Sequence, residues 1–281
     1  MYNDLHVHFR GSEHPDRVLR ALDDARIEKI GAISPPPRDP QQPHAAVADM
    51  KRILDAGQGR LYGLAWINPL LPGAADLVER AVAEYGYRGV KMIPDHWYPY
   101  DERVFPVYER VQTLGVPMLL HSGILWGNRD SSRFCQPVNY EVLINFPKVR
   151  FALAHIGWPW TDECIALAGR FAADVVGEET GLQEHAPRVD AATPYAAQMS
   201  IDITLGAPRP YRADALLKAL AVVGDCRILY GSDCGDPENA QVLRCHIDLD
   251  ERLLRGELGQ PPETLQRIFH DNFEHFFGGK P

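Results

Sequence analysis

The sequence predicts a (β/α)8 barrel, the TIM-barrel fold. Short apolar runs alternate with longer helical segments eight times, glycine and proline punctuate the units, and several of the apolar runs stop at histidine or aspartate. Taken in order, the expected strands cover residues 2–8, 30–34, 61–68, 89–93, 116–121, 149–155, 199–205 and 227–231. The expected helices cover 15–26, 45–56, 73–85, 104–114, 138–146, 161–173, 213–223 and the segment from 238 onward. Gly57 and Gly86 close two of the helices, and Pro35-Pro36-Pro37 closes the second strand. Helices between successive strands imply parallel pairing through crossovers. Parallel strands covered on both faces are continuously apolar, as in Val116-Pro117-Met118-Leu119-Leu120. A doubly wound open sheet would carry a glycine-rich turn after its first strand. Here that strand runs into His6-Val7-His8-Phe9-Arg10-Gly11 instead. A barrel of this type takes about 250 residues as one unit, so the 281 residues are expected to form a single domain, 1–281. The stretch 174–198 is the longest poorly periodic segment; it is read as a surface insertion, with a flap near the site as the alternative.

Composition narrows the function classes. A formal net charge of −9 argues against a nucleic-acid partner, which requires a clustered basic surface. No apolar stretch approaches the roughly 20 residues that span a bilayer, and the first residues lack the apolar core of a signal peptide. The five cysteines form no C-x-x-C pair and read as reduced thiols. The expectation is a cytoplasmic protein acting on a small molecule, with neither nucleic acid nor membrane as partner and with self-association into a homo-oligomer left open.

His6 and His8 stand two apart at the end of the first strand, and positions i and i+2 share one strand face. With eleven histidines in the chain, such a pair alone is weak evidence. The joint pattern is stronger. His121, His155 and Asp233 each end an apolar run with a glycine close by. In a parallel barrel the C-terminal ends of the strands are where catalytic side chains converge. Imidazole and carboxylate donors suit Zn, Fe, Mn or Ni, and so many ionisable groups buried in one ring call for a compensating cation. Cys234 follows Asp233 and, as a neighbouring strand position, points the other way.

Around this ring, Arg10 lies two residues past His8 and is read either as a bidentate partner for an anionic substrate or as a surface residue. The loop after strand four carries His96, Trp97, Tyr98 and Tyr100, and the loop after strand five carries Trp126, Arg129 and Arg133. Trp158 and Trp160 follow strand six. Aromatic rings above a metal suit a flat or cyclic substrate; the alternative is that they pack the rim loops.

The segments Asp4-Leu5-His6-Val7-His8, Gly89-Val90-Lys91, Leu120-His121-Ser122-Gly123, Leu153-Ala154-His155-Ile156-Gly157, Tyr230-Gly231-Ser232-Asp233 and Ile268-Phe269-His270-Asp271-Asn272-Phe273 span the chain. Together they resemble the amidohydrolase superfamily, in the amidohydrolase-related (family 2) branch that includes aminocarboxymuconate-semialdehyde decarboxylase and related metal-dependent hydrolases. The resemblance implies one divalent ion, zinc first, with Mn, Fe or Ni as alternatives. Its ligands would be His6, His8, His121 and Asp233. His155 would handle protons and orient the attacking water, and Asp233 would accept the water's proton. Some members carboxylate a lysine on strand four to bridge two metals. Lys91 occupies that strand here, but the resemblance favours a mononuclear site with Lys91 unmodified. Arg10, Lys91, Trp126 and Trp158 are the expected substrate contacts. The expected activity is hydrolysis of a small, carboxylate-bearing cyclic, ester, lactone or amide substrate. The alternatives are non-oxidative decarboxylation of an aromatic or muconate-type acid, and metal binding without catalysis.

Overall fold

The computed structural model describes residues 1–37, 42, 44–127, 130–171 and 199–278. Arg129 and the expected insertion at 174–198 lie outside the described residues. Eight parallel strands follow one another around a single sheet: β1 (Tyr2–His8), β2 (Ile27–Ile33), β3 (Leu61–Trp66), β4 (Tyr87–Met92), β5 (Met118–Leu120), β6 (Phe151–Leu153), β7 (Met199–Asp202) and β8 (Ile228–Leu229). The ring is closed by backbone bonds. Leu5 N donates to Tyr230 O (3.0 Å) and His8 N donates to Cys234 O (2.8 Å). The expected (β/α)8 TIM barrel is therefore the observed fold.

The helices are α1 (Pro15–Ala25), α2 (Ala45–Asp49), α3 (Lys51–Ala56), α4 (Ala74–Ala83), α5 (Phe105–Leu114), α6 (Thr161–Phe171), α7 (Arg209–Val223), α8 (Ala240–Arg252), α9 (Pro262–Gln266) and α10 (Asn272–Phe276). In α1, Pro15 opens the first turn, and Val18, Leu19, Ala21, Leu22 and Ala25 form the buried stripe. It ends one residue earlier than expected because Arg26 turns left-handed (φ 59°). The chain then enters β2 at Ile27 rather than at residue 30. The segment 45–56 divides at Met50 into α2 and α3, and the expected helix at 138–146 is a run of tighter 3-10 turns, Pro137–Asn145.

Two apolar layers follow from the closure. Leu5, Ile33, Leu64, Leu119, Ala152 and Leu229 come from strands around the whole ring, so their shared cluster is the barrel interior; Phe273 and Phe276 of α10 join it. Val7, Ile30, Val90, Met118, Phe151 and Ile201 pack instead with the helices. Asn272 fastens the C-terminal cover by donating from Nδ2 to the carbonyls of Asp225 and Ile228, each at 2.7 Å. No helix among the described residues is long and apolar enough to cross a membrane.

β1 carries a bulge that determines which of its residues face inward. Asp4 pairs with Ile30 and Val7 with Ala32, so three steps of β1 lie against two of β2. The extra residue changes the phase of alternation. Leu5 belongs to the interior cluster, and beyond the bulge His6 and His8 take the inward positions while Val7 packs outward.

Candidate active site

The expected residues gather at the C-terminal mouth of the barrel. His6 Nε2 lies 3.2 Å from His8 Nε2, 3.4 Å from Asp233 Oδ1 and 3.0 Å from Lys91 Nζ. His8 Nε2 is 3.2 Å from the same carboxylate oxygen. Among the described residues, His6, His8 and Asp233 form the compact donor set, with ligand atoms all within 4.8 Å of one another. His155 and His121 continue the ring: ring centroids are 5.3 Å apart for His6 and His155, and 4.7 Å for His121 and His155. The donor set fits a divalent ion on two observations. Lone-pair donors of one kind converge on one point, and His121 Nε2 and His155 Nδ1 are buried with no hydrogen-bond partner.

The backbone at these positions explains how strand ends deliver the side chains. Asp233 and His155 both adopt left-handed conformations, at φ 58° and φ 61°. At His155 the turn follows Ala154 of the interior cluster, so two consecutive residues both reach the inside. Two glycines permit the close approach. A Cβ on Gly206 would lie 2.4 Å from His155 Cβ, and one on Gly231 would lie 2.7 Å from His6 Cβ.

Two acids that were not expected complete the support. Asp202, at the end of β7, places Oδ2 2.7 Å from His6 Nδ1. Thr204 donates to it from both N and Oγ1, each at 2.9 Å. A carboxylate on Nδ1 leaves Nε2 with its lone pair toward the donor set and orients the ring. Asp4 Oδ1 accepts from His6 N and from Ser232 N, both at 3.0 Å, and so ties β1 to the turn that carries Asp233. Asp202 ends its strand as the other site residues do, and that signal could have found it; Asp4 lies within β1 and gives no such signal.

Electrostatics follow from burial. Desolvation holds His6, His121 and His155 well below the ordinary imidazole range, so they are neutral at pH 7, as ligands must be. Burial pushes Asp202 up to about 7, against the Thr204 bonds, and pushes Asp4 up to about 7, against the bonds from Ser232 and His6. Burial brings the Lys91 ammonium down to about 8, opposed by Asp233 and Asp202. Burial would also raise Asp233, but the imidazoles of His6, His155 and His8 outweigh it and hold this carboxylate ionised.

The mouth opens into a cavity of about 270 Å³ lined by His8, His121, His155, Asp233, Trp126 and Trp158, among others. Trp126 is 79% exposed and stacks on Trp158 with the rings 9° apart. Lys91 is fully buried and sits beside His6, under the donors and outside the cavity wall. Arg10 is exposed and is not among the residues lining the cavity; its backbone N donates to Glu13. Of the expected substrate contacts, the geometry therefore brings Trp126 and Trp158 to the cavity and leaves Arg10 outside. Cys234 is absent from the donor set; its Sγ accepts from Asp236 N at 3.4 Å.

Comparison with known proteins agrees with this fold. No curated protein sequence matches significantly. Among solved structures, an uncharacterised TIM-barrel protein from Bordetella bronchiseptica superposes with a TM-score of 0.67 at 16% identity, covering 98% of this chain and 97% of that one. An amidohydrolase from Burkholderia multivorans with bound zinc gives a TM-score of 0.62 at 15% identity, covering all of both chains. A protein from Acinetobacter baumannii named "probable 2-pyrone-4,6-dicarboxylic acid hydrolase", with citric acid bound, gives 0.61 at 12% identity, covering 99% of each. The sequence model of the Amidohydro_2 family, described as amidohydrolase, matches residues 4–279. The chain belongs to that family and is an enzyme of the amidohydrolase superfamily.

Proposed function

We propose that the protein hydrolyses a small ester, lactone or amide, using one divalent ion, zinc first, held by His6, His8, His121 and Asp233. The observation that carries this reading is the convergence of His6, His8 and Asp233 donor atoms at the mouth, together with the buried, unpartnered Nε2 of His121, whose ring packs on His155. The zinc in the Burkholderia multivorans amidohydrolase supports the choice of metal. When bound, such an ion lowers the pKa of water toward about 7 and polarises a carbonyl.

The chain's own residues do the rest. Asp233, ionised and in contact with His8, accepts the proton of the attacking water at its carboxylate. His155, neutral, hydrogen-bonds the substrate oxygen on which charge develops. Asp202 holds His6 in the tautomer whose Nε2 carries the lone pair, the one that Lys91 Nζ faces at 3.0 Å. Lys91, unmodified and buried against His6, balances the carboxylates of Asp202 and Asp233 and does not reach the substrate. Trp126 and Trp158 form one side of the cavity and shield the reacting carbonyl from bulk water.

The test is a panel of lactones, esters and amides assayed before and after chelation, then after addition of Zn, Mn, Fe or Ni. Loss of hydrolysis on chelation and its return with metal are expected. Full activity in metal-stripped protein refutes the mechanism. Carbon dioxide release from aromatic or muconate-type acids, without hydrolysis of any panel member, replaces it with decarboxylation.

A further inference from the structure

A second cavity, of about 350 Å³, adjoins the metal-side cavity and shares Ile93, Leu125 and Gly127 with it. Its other apolar walls include Pro36, Trp66 and Ile67. The partition between the two is thin: the Trp66 ring lies 5.8 Å, centroid to centroid, from the ring of His8. These walls are built on the barrel and not only on loops. Trp66 N donates to the buried Ser34 Oγ at 2.9 Å, and Ile67 N donates to Lys91 O at 2.9 Å. The compartment is thus preformed beside the reacting centre.

Size and chemistry indicate what it takes. The metal-side cavity alone falls just below the roughly 300–1,000 Å³ of ordinary ligand pockets, whereas the two joined fall well inside that range. Among the described residues, the second compartment is lined by no Lys, Arg or His; its polar lining is Asn68, Ser131 and Asp95. Its one acid, Asp95, contacts His96. A large indole, prolines and branched aliphatic side chains make up most of the described surface a ligand meets.

We infer that this compartment binds the apolar distal half of the substrate. The bond to be cleaved lies beside His8, His155 and Asp233, and an aryl or medium-length alkyl group, carried on a short spacer, packs against Trp66, Ile67 and Leu125. The substrate class is then an ester, lactone or amide bearing an aryl or alkyl tail. The inference rests on the hydrolase reading for its reacting bond, but not for the occupancy of the second compartment.

Two measurements on the zinc-loaded full chain separate these layers. The first is kcat/KM for the methyl esters of acetic, butyric, hexanoic and 4-phenylbutyric acids. The second is the Kd of the four free acids by calorimetry, which needs no turnover. Each methylene that enters the compartment should improve both quantities about fourfold. In Asn68→Trp, which adds bulk to the compartment wall, the advantage of 4-phenylbutyrate over acetate should collapse toward unity. Should that variant fail to fold, the chain-length series on the unaltered protein decides by itself. Hydrolysis with no dependence on chain length overturns the compartment and keeps the hydrolase. Tighter binding of the longer acids, with no hydrolysis of these esters or of any ester, lactone or amide in the wider panel, keeps the compartment and overturns the hydrolase.

Discussion

Replacing Asp202 with asparagine removes an acceptor oxygen behind His6 while leaving the volume unchanged. The aspartate satisfies three donors with two oxygens: Oδ1 accepts from Thr204 N at 2.9 Å, and Oδ2 accepts from Thr204 Oγ1 at 2.9 Å and from His6 Nδ1 at 2.7 Å. Asparagine has one acceptor oxygen to offer. If that oxygen stays with Thr204 N, the amide NH2 faces His6 Nδ1, which must then accept. The ring proton moves to Nε2, the atom that lies 3.4 Å from Asp233 and 3.2 Å from His8, and His6 loses its free lone pair there. If instead the oxygen faces His6, the NH2 meets Thr204 N–H, and two buried donors oppose each other. The first outcome weakens metal binding, and the second lowers stability.

The magnitudes agree from two directions. A hydrogen bond to a charged group contributes about 1.5–3 kcal/mol, and about 1.4 kcal/mol is a factor of ten. Zinc affinity should therefore fall about 10–100-fold, the range found when the outer partner of a ligating histidine is removed. The assay is competitive zinc titration against a chromophoric chelator, with the Tm of both metal-free proteins measured in parallel. A weaker zinc Kd with nearly unchanged apo Tm identifies the tautomer effect, and a lowered apo Tm identifies the buried clash. An unchanged Kd together with an unchanged Tm would refute the role given to Asp202.

The remaining expectations are shorter. Asp233→Asn should retain zinc on the three imidazoles, though more weakly, and lose about 10²–10⁴ in turnover per bound ion, while His6→Ala should lose ion and turnover together; metal content and rate on the same sample decide. Gly231→Ala places a Cβ 2.7 Å from His6 Cβ and 2.8 Å from Asp202 Oδ1, so bound zinc per chain after desalting should drop, and full stoichiometry would count against the close approach. Arg212→Ala strips the buried Asp250 of its guanidinium (2.6 Å) and the Ile203 carbonyl of its donor; urea unfolding should show a loss of about 3–5 kcal/mol, largely recovered when Asp250→Leu is combined with Arg212→Leu. At acid pH, the His270 hydrogen bond holds Glu28 below the ordinary carboxylate range, and the bonds from Gln266 and His270 hold Asp271 below it against its partial burial. Depressed acids contribute stability that is complete above their unfolded values, near 4, and is lost as pH falls through their lower folded values. His270→Gln should therefore flatten the fall in Tm below about pH 5, by less than about 1 kcal/mol at this exposed site; superimposable acid limbs would rule the coupling out.

The parts of this structure legible in the sequence are those governed by period and by strand ends. His121, His155 and Asp233 each close an apolar run, His6 and His8 stand at the end of the first strand, and a barrel gathers such ends whatever its loops do. Asp202 gives the same signal, but the apolar period continues through Ile203 to residue 205 and hides it; the strand ends at Asp202 itself. Other features depend on backbone conformations that residue type does not announce. The β1 bulge, the early entry into β2 after a left-handed Arg26, and the turns at His155 and Asp233 each place a non-glycine residue where propensity gives no warning. Arg10 shows the reverse limit. Two residues of separation suggested nearness to the mouth, but the chain has left the strand by then, and spacing carries no direction outside a regular element.

Several unfavourable terms of this fold meet at the mouth of the barrel. Asp233, His155 and Ile156 take left-handed backbone conformations at about 1–2 kcal/mol each. Lys91, Asp202, Asp4 and His6 are charged or polar groups at zero exposure, and His121 Nε2 and His155 Nδ1 have no partner. The barrel interior beneath, from Leu5 to Leu229 and Phe273, is apolar and closed. Selection for stability alone would relax the upper layer toward the character of the lower one, because each of these terms opposes folding and none is required to close the ring. A divalent ion among the donors would offset most of them at once: it supplies the missing partner for the orphaned nitrogens, balances the buried carboxylates, and gives the strained turns at Asp233 and His155 a reason to hold those side chains inward. The strain, the burial of charge and the unpartnered atoms are thus three views of one requirement, a preformed set of donors at the mouth of a rigid barrel.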